Sequence, residues 1–188
     1  PAEAPTGMDI REYLKLDDFI VDLDLTPNRS DCLGMVGLAR ETALINKLDW
    51  SPVELPGVAP ENDETFSVAL EPGAGCPRFV GRVITGIDTG QQSPLWIREK
   101  LRRSGLRSID PGVDITNYIM LETGQPMHAY DLSCLKGAIV VRQAGSSEKL
   151  TLLDEQEIDV EPGTLLITDE SGPIGLAGIM GGLSTAVS

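Results

Sequence analysis

The sequence predicts an α+β fold, mainly antiparallel β-sheet with a few packed helices, preceded by a short strand-helix segment from a neighbouring domain. Three observations carry that prediction. Short segments rich in Val, Ile and Phe gather at 66–70, 79–87 and 138–168, two stretches of helical spacing lie side by side between 93 and 124, and no β-α-β alternation repeats along the 188 residues.

The elements follow in chain order. Residues 19–25 begin with an apolar run and then alternate, which reads as a strand. Thr26-Pro27-Asn28-Arg29-Ser30 is a turn, and Ser30 or Asp31 is placed to cap a helix over 31–46. Cys32, Met35, Val36, Ala39 and Ala43 recur along it at helical spacing. Residues 49–64 carry Pro52, Pro56 and Pro60 among Glu54, Glu61, Asp63 and Glu64. A segment of that composition neither buries a core nor continues a helix, so it is expected to be a linker. It separates residues 1–48, a strand-helix segment of a neighbouring domain, from a second domain at 65–188.

Beyond the linker, 66–70 and 79–87 read as strands. Ser93-Pro94 supplies a cap and a first-turn proline, and Gly105 closes the helix that follows, with Trp96, Ile97 and Leu101 as its apolar stripe. Pro111 opens a second helix, carrying Ile115, Ile119, Met120 and Leu121, that ends near Gly124. Residues 138–142, 150–154, 156–160 and 164–168 are four short strands in meander.

Formal charge is -14 and unevenly spread. Residues 1–75 hold 15 acids and 5 bases, whereas 76–188 hold 14 acids and 10 bases. Nucleic-acid affinity rests on clustered Lys and Arg, so the whole chain is a poor non-specific binder. Arg98, Lys100, Arg102, Arg103 and Arg107 form a small basic patch; from charge alone a solvated helix face is the better reading, though such a patch can hold an RNA end. Cys32, Cys76 and Cys134 are odd in number, far apart and in no CxxC pair, which argues against a disulfide scaffold or a cysteine zinc site and for reduced thiols in the cytoplasm. No run approaches the length of a membrane span. The chain lacks a starting Met and a charged-then-apolar leader, so it is expected to be a piece of a longer, unexported protein.

Arg107 to Asp131 concentrates Arg, Thr, Asn, Gln, His and Asp, including the chain's single histidine, His128. A lone histidine near a helix end is usually a structural hydrogen-bonder. Here Pro126 fixes the backbone before it, Asp131 lies close enough to orient a ring nitrogen, and Thr116 and Asn117 lie one helix upstream. Thr116 and Asn117 are both poor helix-interior residues; Asn117 either bonds backbone at a helix bend or faces a ligand. With one histidine and scattered cysteines, no metal site is expected. Residues 172–182 hold five glycines in eleven positions, which reads as bulges and tight strand bends or as a pocket wall of bare backbone.

Several short motifs then carry a resemblance. Asp22 to Met35, Cys76-Pro-Arg-Phe-Val-Gly-Arg82, Ser104-Gly-Leu-Arg-Ser-Ile-Asp110, Asp114-Ile-Thr-Asn117, Gly124-Gln-Pro-Met-His128 and Gly178-Ile-Met-Gly-Gly182 occur in one order. Together they resemble the editing region of the bacterial phenylalanyl-tRNA synthetase beta-subunit family, across almost the whole chain. The resemblance implies an alpha-subunit partner in a heterotetramer, which uses ATP and magnesium elsewhere to attach phenylalanine to tRNA(Phe). It implies no cofactor in this region, contact with the tRNA acceptor end, and hydrolysis of misattached tyrosine as a second sieve. By position it assigns Arg107 to the RNA end, Asn117 with Thr116 to the aminoacyl ester, and His128 to the terminal ribose or attacking water. The backbone at Gly181 becomes a pocket wall.

Three departures accompany it, the first being that further pocket residues expected beyond Ser188 are missing. The family's tyrosine-reading glutamate falls beyond Ser188, which implies a domain truncated at its C-terminus, and Leu183 stands where relatives often carry an acid. A non-catalytic docking module and a free-standing hydrolase of mischarged tRNA are the other readings.

Overall fold

The computed structural model describes residues 4–187, which fall into two compact units. One unit comprises the chain through Val53 together with Gln91–Gln125, and the other Glu54–Gly90 together with the chain from Pro126 onward. The α-helices belong to the first and the sheets to the second, an α+β composition with mostly antiparallel pairing. Helices α3 and α4, described next, therefore have their compact surroundings in the first unit although they follow the proline-rich segment. Among the described residues no helix is long and apolar enough to cross a membrane.

In the first unit, α1 (Ile10–Tyr13) is capped by Asp9, which accepts from Arg11 N at 2.7 Å. A single 3-10 turn (Ser30–Leu33) precedes α2 (Met35–Asn46), and α3 (Leu95–Arg103) and α4 (Pro111–Thr123) follow. The helix expected over 31–46 is thus broken at Gly34, and neither Ser30 nor Asp31 caps it. The Asp31 carboxylate is taken instead by Arg29 at 3.1 Å and Arg40 at 3.2 Å. Helix α4 packs against both α2 and α3. Gly37 sits where α2 folds back on the 3-10 turn, and a methyl there would run into the Asp31 carbonyl.

The strand expected at 19–25 does not form, and Phe19, Ile20 and Val21 are exposed. A strand needs a partner to satisfy its N–H and C=O groups, and every strand among the described residues lies in the other unit. The helices match expectation more closely because their hydrogen bonds are local. Ile97 and Leu101 of α3 are buried, Leu101 completely. Asp110 caps α4 by accepting from Val113 N at 3.0 Å, Pro111 opens it, and Gly124 at φ +78° ends it.

The second unit holds β1 (Val68–Leu70), β2 (Ile139–Gln143), β3 (Glu148–Thr151), β4 (Glu157–Val160), β5 (Leu165–Asp169), β6 (Gly172–Leu176) and β7 (Met180–Gly181). Five of them form one sheet in the order β1-β2-β5-β6-β7, parallel only between β1 and β2, while β3 and β4 make a separate hairpin. Strand β5 is central, with Val141 opposite Ile167 on one side and Leu166 opposite Leu176 on the other. Ile139, Val141, Ile167 and Ile174 bury one core cluster, and Leu150, Leu152, Val160, Leu166 and Ala144 the other. The expected strand at 79–87 is absent: Phe79 packs on the core, while Val80, Ile84 and Ile87 stay exposed. The glycine-rich run becomes β6 and β7, and the register shifts at Ile167/Thr168 opposite it, as a bulge would require.

One ion pair ties β2 to β3. Arg142 grips Glu148 through both terminal guanidinium nitrogens, Nη1 and Nη2, at 2.7 Å, and Gly145 N adds a third bond at 2.6 Å. The Arg142 contact, aided by the Gly145 N–H against the cost of burial, holds the Glu148 carboxyl down to about 2. A carboxyl lowered on folding stabilises the fold fully above its unfolded value near 4.5 and loses that contribution as pH falls toward 2. Glu148→Gln is therefore expected to cost on the order of 2 kcal/mol at neutral pH. The deficit relative to the unsubstituted chain should shrink to nothing near pH 2, as urea denaturation across the acid range would read. Gly37→Ala should cost about 3 kcal/mol by overpacking against backbone, visible as a lowered denaturation midpoint with unchanged slope.

Candidate functional site

The predicted site residues divide between the units, and each set has its own geometry. In the first, α4 presents Thr116 and Asn117 on consecutive positions, both half-buried. The Thr116 hydroxyl donates to the Val113 carbonyl at 2.8 Å, so its oxygen remains an acceptor only. The Asn117 side-chain amide has no hydrogen-bond partner among the described residues, which removes the reading of Asn117 as a brace for a helix bend. An amide fork left free at a half-buried position is suited to a polar ligand.

Arg107 stands in the loop between α3 and α4, exposed. The rest of the basic patch is spent locally. Arg102 pairs with Glu99 at 2.9 Å, and Arg103 pairs with Asp18 at 2.8 Å while donating to the carbonyls of Leu14 and Lys15. Arg98 donates to Gln92 at 2.8 Å, and Lys100 lies over the rings of Trp96 and Tyr118 at 5.8 and 5.4 Å. Of the five bases, Arg107 alone makes no hydrogen bond, ion pair or ring contact with a described residue.

The loop bearing Arg107 is pinned by Asp114, a residue of the Asp114-Ile-Thr-Asn117 motif with no role expected from sequence. Asp114 is fully buried in the first turn of α4. It accepts from Ser93 Oγ and Ser108 Oγ at 2.5 Å each and from Ile109 N at 2.9 Å. Burial pushes its carboxyl upward, but the bonds from Ser108, Ser93 and Ile109 outweigh that and leave it below the usual carboxylate range. Ser93, read as a helix cap, is thereby used elsewhere, and α3 begins from Pro94 without a side-chain cap. The available signal was an acid in the first turn of a helix flanked by serines, a pattern that composition alone assigns to the helix dipole.

In the second unit, His128 and Gly181 are in contact: a methyl at 181 would run into the His128 ring. Gly181 is held there by pairing of β7 with β6, opposite Gly175. The imidazole also meets Tyr130 edge-on, centroids 4.6 Å apart and planes at 80°. The ring retains solvent exposure, yet burial of its packed side lowers its pKa below 6.5, so it is neutral at physiological pH. Burial likewise pushes the Tyr130 hydroxyl up to about 12. Asp131 does not orient the imidazole, contrary to expectation. Its carboxylate accepts from Ser133 N at 2.9 Å and Ser133 Oγ at 2.7 Å, a local turn that wins because the donors lie two residues away.

Two shallow concavities, of about 290 and 240 Å³, are lined by Glu71 to Pro77 and by Gln91 to Ser93 with Arg98, Ser108 and Ile109. Neither includes a predicted site residue, though the second lies over the serines that bind Asp114.

Residues 75–188 match the family model described as B3/4 domain. Along its full length the chain is 54% identical to the phenylalanine--tRNA ligase beta subunit of Hahella chejuensis (strain KCTC 2396), of which it covers 24%. It is 52% identical to that of Colwellia psychrerythraea (strain 34H / ATCC BAA-681), covering 23% of that protein. With the beta subunit of Methylococcus capsulatus (strain ATCC 33009 / NCIMB 11132 / Bath) it shares 54%, covering 24%. The chain thus spans about a quarter of the length of the curated relatives it matches.

The His128–Gly181 contact makes a direct prediction. NMR titration should place the His128 pKa below 6.5, and Gly181→Ala should push the ring into solvent and move that pKa back toward 6.5. Because a depressed histidine binds protons more readily when unfolded, its neutral form contributes stability that is complete above pH 6.5 and lost as pH falls through the folded value. His128→Gln should flatten that part of the stability curve.

Proposed function

Because the chain belongs to the B3/4 domain family, we propose that it is the part of a phenylalanine--tRNA ligase beta subunit that releases tyrosine misattached to tRNA(Phe). The observation that carries this reading is His128: a neutral imidazole, unpaired with any carboxylate among the described residues, packed on a glycine inside the matched region.

Hydrolysis of an aminoacyl ester needs a water aimed at the carbonyl carbon and a proton for the departing ribose oxygen. A neutral imidazole accepts at one nitrogen and donates at the other, so it can hold that water or the ribose hydroxyl. The free amide of Asn117 supplies donors for the ester carbonyl, the Thr116 oxygen supplies an acceptor, and Arg107 supplies a cation for the RNA backbone. Each set is assigned its role separately. Within the second unit, the bare backbone at Gly181 is the wall on which the His128 ring packs. The editing domain is proposed to extend over 65–188, with an alpha-subunit partner, ATP and magnesium serving phenylalanine attachment elsewhere in the ligase. Cytoplasmic location belongs to the same proposal. A docking role is the second reading, favoured by the exposed Phe19, Ile20, Val21, Leu44, Ile45 and Leu48 of the first unit.

The test is tyrosine release from Tyr-tRNA(Phe) by the full-length ligase. His128→Ala and Asn117→Ala are each expected to slow release at least tenfold, on the order of what a positioned acid-base or donor group contributes, with phenylalanine attachment retained. Unchanged release in both variants would discard the hydrolytic reading and leave the docking one.

A further inference from the structure

Asp114 is the most completely buried charge-bearing group of the first unit, and its three donors come from two places in the chain. Ser93 precedes α3, whereas Ser108 and Ile109 directly follow Arg107. No cation lies within ion-pair distance among the described residues. Three hydrogen bonds do most of the work that a paired counter-ion would otherwise do, helped by the N-terminal end of α4 and by the Arg98 cation at longer range.

That arrangement fixes geometry as well as charge. Asn117 is three residues beyond Asp114 on the same helix, hence its neighbour on the helix surface. Arg107 is one residue before Ser108 and two before Ile109. The loop is tied to α3 at its start, where Leu106 N donates to the Leu101 carbonyl at 2.9 Å. Arg107 has no partner of its own among the described residues, so the Asp114 bonds to Ser108 and Ile109 fix the side on which it leaves α3. We propose that Asp114 is a positioning residue for ester hydrolysis: by clamping Ser108 and Ile109 to the first turn of α4, it holds the Arg107 cation in a fixed relation to the Asn117 amide. This rests on the editing reading above and adds to it the element that aligns the RNA-end contact. Arg107 binds, and Asp114 acts only through it.

The experiment is a double-mutant cycle in the full-length ligase with its partner subunit, reading KM and kcat for tyrosine release from Tyr-tRNA(Phe). Asp114→Asn keeps the shape and replaces an acceptor by a donor facing the two serines. It should raise KM about tenfold, the scale of a misplaced binding group, with kcat within about twofold. Added to Arg107→Ala it should cost nothing further, because the loop then carries no cation to position. Ser108→Ala leaves Asp114 two donors, so it keeps the fold if Asp114→Asn does not, and should reproduce the rise in KM. Additive losses, or an unchanged KM beside a lowered melting temperature, would overturn the proposal and assign Asp114 to folding alone. If the unsubstituted ligase releases no tyrosine, the editing reading fails by itself. The clamp is then judged by tRNA(Phe) affinity, where equal, non-additive losses in Arg107→Ala and Asp114→Asn uphold it and unequal or additive ones sink it.

Discussion

A carboxylate with no solvent exposure has to be satisfied by its neighbours, and in the helical unit that requirement organises everything around α4. The full cost of withdrawing a charge from water is several kcal/mol, so Asp114 tolerates burial only while its donors stay in place. Those donors sit at the entrance of α3 and in the loop that leaves it. The α3–α4 pair is therefore closed by a polar clasp at one end, and by Leu101 and Ile97 along its length. Apolar burial supplies most of the stability but has no direction. The clasp supplies direction, since three hydrogen bonds to one carboxylate accept a narrow range of loop conformations.

In the sheet unit the corresponding constraint is central strand β5, buried over four of its five residues. It forces β2 and β6 to pair from both sides, and the bulge at Ile167/Thr168 lets the glycine-rich run follow without steric conflict. The chain then turns back through β7, which brings Gly181 beneath the His128 ring. A side chain at that point is excluded by volume.

How much of this was legible depends on where each element's hydrogen bonds go. Helices α3 and α4 were readable nearly to their ends, because Pro111, Gly124 and the Ile97/Leu101 spacing act within the helix itself. The hairpin β3–β4 was legible for the same reason, its partner lying a few residues away. The segments at 19–25 and 79–87 have strand-like patterns but no strand partner among the described residues, and pattern alone does not reveal pairing. The strands in the glycine run were obscured by the opposite effect: low intrinsic propensity overridden by pairing with β5. At the site, the residue types were evident, but the partner of each was not. Asp131 was available in sequence to His128 and is bound by Ser133; Ser93 looked like a cap and is bound by Asp114.

These two constraints act on different physical quantities, and that gives the units separable signatures. At His128 packing withdraws water from one side of an imidazole, so disturbance there changes a protonation equilibrium first. At Asp114 the protein holds a charge by hydrogen bonds, and what depends on it is the place of a neighbouring cation. Each signature belongs to its own unit, a cation at a set position in the first and a neutral, partly exposed imidazole in the second. A chain whose acids outnumber its bases by 14 has little long-range attraction for any anionic ligand. Specific placement of one unspent arginine then matters more than the total charge, because the contact must be made by geometry.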